Sequence, residues 1–243
     1  DKFGEDYAAS GNLGNLDLVA SLEWVRDNIE AFGGDPDNVT IMGESGGGSK
    51  VSHLLAMPAA DGLFHKAIIQ SGPGVTSGKK ADAAATAEKV LAAAGIETVE
   101  DLNAIPAETL LEAARSVEGA RFGPIVDGTV LPRDPFLPAA PEQSRDIPIL
   151  IGTNKDEMTI FMAAQPWFGV LTTEGLDKMA EEMGPNGPDL VEYYSNLMED
   201  DAPTYVAIRA QTARFMQGSH ILAAQKARQG GAPVYMYWLT YES

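Results

Sequence analysis

The spacing of apolar residues changes repeatedly along the first third of the chain, and each change marks an element. From Asp17 onward, Leu18, Leu22, Val25 and Ile29 recur at helical spacing, with the small residues Ala20 and Ser21 between them. Asn12-Leu13-Gly14-Asn15 reads as the turn before this helix, and Asp17 as its N-terminal acid, placed against the positive end of the helix dipole. Phe32-Gly33-Gly34-Asp35-Pro36 stops it, because paired glycines and a proline cannot continue the hydrogen-bond ladder. The pattern then switches to a continuous β-branched run, Val39-Thr40-Ile41-Met42, which predicts a buried parallel strand. That run passes through Gly43-Glu44-Ser45-Gly46-Gly47-Gly48 into a second helical stretch bearing Val51, Leu54 and Leu55, ended by Pro58.

The same alternation continues downstream. Ala67-Ile68-Ile69-Gln70 predicts a second buried strand, closed by Ser71-Gly72-Pro73-Gly74. Ala/Leu/Glu-rich stretches at 82–94 and 107–117 predict helices. A third strand, 147–152, leads into the polar loop Thr153-Asn154-Lys155-Asp156-Glu157. Helices then dominate to Ala227, broken at Gly184-Pro185-Asn186-Gly187-Pro188, and Val234 to Leu239 is the last strand. Strands alternating with long helical stretches predict an α/β fold whose mostly parallel sheet carries helices on both faces. No repeat or linker divides the chain, so residues 1–243 read as one domain with helical stretches at about 82–118 and about 156–229.

Charge and composition narrow the function classes. With 17 basic and 35 acidic residues the net charge is −18, which opposes binding to nucleic acid or an anionic membrane surface. The absence of cysteine removes disulfides, thiolate metal sites and a cysteine nucleophile. No apolar run is long enough to span a bilayer, and no signal peptide opens the chain. The compartment stays open, cytoplasmic or exported, and so does the oligomeric state.

Chemistry concentrates at Gly43-Glu44-Ser45-Gly46-Gly47. A serine hydroxyl becomes a nucleophile when it is exposed and offered to a base. A G-x-S-x-G turn between a strand and a helix exposes it, with Gly43 and Gly47 allowing the sharp turn. The Gly46 amide, at the helix N-terminus, can donate to the oxyanion of a tetrahedral intermediate. A phosphate-binding loop does not fit the same residues. Ser49 precedes Lys50 where that motif needs the reverse order, and Glu44 puts negative charge into the cradle.

Further motifs make the chain recognisable. Trp24-Val25-Arg26-Asp27-Asn28-Ile29, Phe32-Gly33-Gly34-Asp35-Pro36 and the Ser45 elbow resemble the type-B carboxylesterase family, which includes cholinesterases, liver carboxylesterases and bacterial para-nitrobenzyl-type esterases. So do Phe64-His65-Lys66-Ala67-Ile68-Ile69-Gln70-Ser71-Gly72, Pro124-Ile125-Val126-Asp127-Gly128 and Gly152-Thr153-Asn154-Lys155-Asp156-Glu157, in family order. Leu18 stands where the family usually has Gln, Gly46 where it usually has Ala, and Gly48 is an extra glycine expected only to loosen the turn. The resemblance implies an α/β-hydrolase that cleaves small carboxylic esters through a serine acyl-enzyme, with no metal or organic cofactor. It implies Ser45 as nucleophile, Gly46 as oxyanion donor and Glu157 as the triad acid, with Asp156 as the neighbouring alternative. Glu44 and Ser71 resemble positions that support the site.

The base is not evident. In this fold it follows the acid, and the only histidine beyond Glu157 is His220, inside a helical pattern before the last strand. His53 and His65 precede the acid. The family's histidine lies on a loop after the strand that here is Val234 to Leu239, and its glycine-rich oxyanion loop lies upstream of the residues matched here. The chain is therefore expected to be an internal fragment of a longer esterase, weak or inactive alone. A non-catalytic adhesion or binding member of the same fold is the alternative.

Overall fold

The computed structural model describes residues 3–198 and 201–241. Its centre is a four-stranded, all-parallel sheet in the order β1 (Thr40–Glu44), β2 (Lys66–Gln70), β5 (Ile149–Asn154), β6 (Val234–Leu239). The expected strands are all present, shifted by no more than two residues at either end. A parallel pair cannot be closed by a tight turn, so helices occupy the crossovers.

Side chains alternate across the strands, and the two faces differ. Ile41, Ala67, Ile69, Ile149 and Ile151 point to one face and are buried with Val51 and Leu54 of α2 (Gly46–Leu54), Leu55 just after it, and Leu222 and Ala223 of α9 (Pro203–Gln229). Val19 of α1 (Leu13–Asn28) joins the same cluster. The other face carries Met42, Ile68, Leu150 and Tyr235 in one row of the strand register. There Met42, Leu150 and Tyr235 are 65%, 38% and 61% exposed. The expectation of helices on both faces is thus met on one face only, among the described residues. The apolar runs read as doubly covered because their composition is the same whether or not a helix lies over them.

α9 joins two packed regions. Its C-terminal half covers the sheet, while Val206, Ala207 and Ala210 in its N-terminal half pack with α7 (Thr173–Glu182) and α8 (Gly187–Leu197) in a separate cluster. The expected break at 184–188 falls at 183–186, because Pro188 sits in the first turn of α8, where its missing N–H costs nothing. Lys226 of α9 is buried, and its ammonium donates to the carbonyls of Ser144 at 2.5 Å and Arg145 at 2.6 Å. It therefore ties the loop before β5 to the helix.

Several local details go beyond the expected outline. α1 begins at Leu13, so Asp17 lies in its second turn, where its carbonyl accepts from the Ser21 hydroxyl at 2.8 Å. Asn12 does not cap the helix because its side chain is used elsewhere. It donates to Asp127 Oδ2 at 2.8 Å and to the Ile125 carbonyl at 3.0 Å, and accepts from the Ile125 amide at 3.1 Å. Between α3 (Lys80–Ala94) and α5 (Ala107–Ser116), inside the helical stretch expected over about 82–118, stands a separate short helix, α4 (Val99–Ala104), held by a reciprocal capping box of Thr98 and Asp101. A two-stranded parallel ribbon, β3 (Gly78–Lys79) with β4 (Ile125–Val126), was also not expected, and α6 (Thr159–Met162) is a single turn.

Candidate active site

Ser45 occupies the one-residue gap between β1 and α2, with φ 54° and ψ −118°. Positive φ is uncommon for a residue with a Cβ, and it is held here by the neighbouring backbone. The Ser45 amide donates to the Gln70 carbonyl at 2.9 Å, and its carbonyl accepts from Ser49 at 3.1 Å. The residue is exposed, so the turn offers its hydroxyl to solvent. Gly46 is the first residue of α2, and its N–H has no helical carbonyl to reach. That amide and the helix dipole favour negative charge beside Ser45.

The glycines do different work from that expected. A Cβ on Gly43 would lie 2.3 Å from the Gly47 carbonyl group, so the strand and the helix start meet only through glycine at 43. On Gly47 a Cβ would meet nothing within 4 Å. Gly48, expected to loosen the turn, is buried and tightens it instead. A Cβ there would stand 3.1 Å from the Gln70 carbonyl oxygen, 3.2 Å from that of Gly72 and 3.3 Å from that of Gly43.

Glu157 follows β5 and is half-buried. Its Oε1 accepts from the Ser71 hydroxyl at 2.5 Å and from the Asn154 amide at 2.7 Å, and its Oε2 from the Asn154 side chain at 3.2 Å. Ser71 is buried, with φ 52°, at the end of β2. Consecutive residues there bind both candidate residues: Gln70 holds the Ser45 amide and Ser71 holds the Glu157 carboxylate. Asp156 turns the other way, pairing with Arg209 of α9 at 3.1 Å, while Arg209 also donates to the Lys155 carbonyl at 2.9 Å. Glu44 is exposed at the end of β1, and its carboxylate makes no hydrogen bond or ion pair among the described residues. Asn154 lay within a recognised motif but had no assigned role. Arg209 carries no local signal, since its partner is 53 positions away.

None of the three histidines bonds to Ser45 or Glu157. His65 accepts from the Val39 amide at 3.1 Å, which fixes the start of β1. His220 is exposed on α9, its Nδ1 3.1 Å from the Met216 carbonyl, beside a groove of about 630 Å³ that Asp189 and Arg214 also line. His53 is buried within α2 and directed toward Ser77. No cluster of three or more metal-ligating side chains occurs among the described residues, and no described helix is long and apolar enough to cross a membrane.

Comparison with known proteins gives the same outline. The carboxylesterase family model matches residues 3–243. The para-nitrobenzyl esterase of Bacillus subtilis (strain 168) is 39% identical over 245 residues, covering 97% of this chain and 48% of its own length. Carboxylesterase 1C of Rattus norvegicus is 32% identical over 97% of this chain and 46% of its own. The solved carboxylesterase EST55 of Geobacillus stearothermophilus superposes with a TM-score of 0.83 at 45% identity, over 100% of this chain and 52% of that one. The chain thus spans about half the length of the curated relatives it matches. An α/β sheet with a strained serine at a strand–helix turn, matched along its whole described length, places this chain in the carboxylesterase family.

Proposed function

We propose that the chain carries the nucleophile and the acid of a carboxylic ester hydrolase. The observation that bears most weight is the β2 terminus, whose adjacent residues Gln70 and Ser71 hold the Ser45 backbone and the Glu157 carboxylate. In this reading the Ser45 hydroxyl attacks the ester carbonyl, and the Gly46 amide donates to the oxyanion as it forms. An imidazole takes the serine proton and passes it to the departing alkoxide. Glu157 orients that ring and stabilises its charged form. Water then attacks the acyl-serine by the same route in reverse. Ser71 and Asn154 act as positioning residues by fixing the carboxylate. The substrate is a small-molecule carboxylic ester.

The base is a histidine contributed from outside these 243 residues, and so is the second part of the oxyanion hole. Two points support this: the order of serine, acid and histidine in the fold, and the engagement of His53, His65 and His220 elsewhere. Alone, the chain is then a poor ester hydrolase, since loss of a triad member leaves only residual acceleration. The test compares para-nitrophenyl ester turnover by the protein with its natural flanking sequence, as wild type and as Ser45→Ala. A loss of about 10³-fold or more is expected. Unchanged turnover would refute Ser45 as the nucleophile, and absence of turnover in the wild type would return the chain to a binding role on the same fold.

A further inference from the structure

A second hydroxyl in this chain has what Ser45 lacks, an imidazole in hydrogen-bond contact. His53 lies on α2, two turns beyond the elbow, and is 2% exposed. Its Nδ1 is 2.6 Å from the Ser49 carbonyl oxygen, and its Nε2 is 2.7 Å from Ser77 Oγ. A carbonyl oxygen can only accept, so Nδ1 carries the ring proton and Nε2 presents its lone pair. The Ser77 hydroxyl therefore donates to Nε2. This is the arrangement of nucleophile, base and orienting acceptor, with a backbone carbonyl in place of a carboxylate.

The surroundings hold that geometry. A Cβ on Gly74 would lie 2.7 Å from the ring Cε1 and 2.8 Å from Ser49 Oγ, so the 74–77 segment packs directly on the imidazole. The Gly74 amide donates to the buried Ser52 hydroxyl at 3.2 Å. On the other side the Ser77 amide donates to Asp134 Oδ1 at 2.8 Å, and Phe136 donates to the Val75 carbonyl at 3.1 Å. Ser77 itself is partly open to solvent, between exposed Thr76 and Gly78.

We propose that Ser77 is a second acyl-accepting nucleophile, with His53 as its general base, toward small activated acyl donors such as aryl esters. Ser77 Oγ forms a bond to the acyl carbon as its proton passes to His53 Nε2. Collapse of the tetrahedral adduct breaks the bond to the aryl oxygen, and the imidazolium gives that proton to the departing aryloxide. Acyl-Ser77, the free phenol and a neutral imidazole result. The Ser77 amide is occupied by Asp134, whose carboxylate also repels an oxyanion. Without oxyanion stabilisation both acylation and deacylation are slow; an aryloxide leaves readily enough for acylation, whereas the serine alkoxide of acyl-Ser77 does not, so the acyl group accumulates and is not turned over. Burial pushes the imidazole below its ordinary pKa; the Ser49 carbonyl opposes this and Lys50, one turn away, adds to it, which keeps Nε2 free at neutral pH.

The test uses the chain carrying Ser45→Ala, which removes the elbow nucleophile and makes the outcome independent of the role proposed for Ser45. It is incubated with para-nitrophenyl acetate and the acetylated residues are located by mass spectrometry. An acetyl group on Ser77 is expected, formed about 100-fold or more slowly after His53→Gln. Ser77→Ala, which leaves the ring in place, abolishes it. The rate of Ser77 labelling is expected to hold constant from pH 8 to about pH 6.5 and to fall only below that. Absence of Ser77 acetylation, or a rate that His53→Gln leaves unchanged, overturns the proposal. So does a rate that climbs steadily with pH through 8, as for an unassisted hydroxyl.

Discussion

The bond between Ser71 and Glu157 invites a quantitative test, because its contribution separates cleanly from backbone strain. Ser71→Ala deletes the hydroxyl that donates to Glu157 Oε1 at 2.5 Å and leaves both Asn154 donors in place. Ser71 has φ 52°, and alanine meets the same left-handed penalty as serine, so strain cancels in the comparison. A hydrogen bond to a charged group contributes about 1.5–3 kcal/mol. Glu157 is half open to solvent, and water can replace part of the lost bond, so the lower end applies, about 1–2 kcal/mol. For a chain of this size that is a fall in Tm of about 2–8 °C. Urea unfolding of wild type, Ser71→Ala, Glu157→Gln and the double variant closes a thermodynamic cycle. A coupling of about 1 kcal/mol or more is expected, since Ser71 has less to bind once the carboxylate is gone. Additive effects, within about 0.3–0.5 kcal/mol, would mean that Ser71 does not hold the acid.

The elbow glycines should rank in the order the close approaches dictate. Gly43→Ala is expected to prevent folding, Gly48→Ala to cost about 1–3 kcal/mol, and Gly47→Ala to stay within about 0.5 kcal/mol, read by urea midpoints. A Gly47→Ala loss as large as that of Gly48→Ala would contradict the packing. His53 gives a pH dependence of known sign: burial lowers its folded pKa, so the unfolded chain binds a proton first on acidification. Its contribution to stability is full above about pH 6.5 and is lost as pH falls from there toward the folded pKa. His53→Gln should flatten that part of the stability–pH curve, and an unchanged slope would show that the ring titrates normally.

How much of this was legible in the sequence depends on the range of the interactions. The strands were readable because their apolar runs are short and punctuated by glycine and proline. The elbow was readable because strand, serine turn and helix are contiguous. α4 was not separable within the stretch at about 82–118 because six residues are too few for a periodicity, although Thr98 and Asp101 spell a capping box. The open sheet face was invisible, since Met42, Leu150 and Tyr235 look the same covered or bare. Contacts across the fold left no local trace: Ser71 to Glu157 spans 86 positions, and His53 to Ser77 joins a helix to a loop. Asp156 and Glu157 are adjacent acids in sequence, and what separates them is that Arg209 on α9 pairs with the first while Ser71 at the end of β2 binds the second.

The most direct measurement is the identity of the acylated residue during turnover. The protein with its natural flanking sequence is mixed with para-nitrophenyl acetate, quenched within the first turnover and digested for mass spectrometry. Acetyl on Ser45, appearing and decaying at rates that match turnover, is the expected result. Full turnover with Ser45 never modified would contradict it.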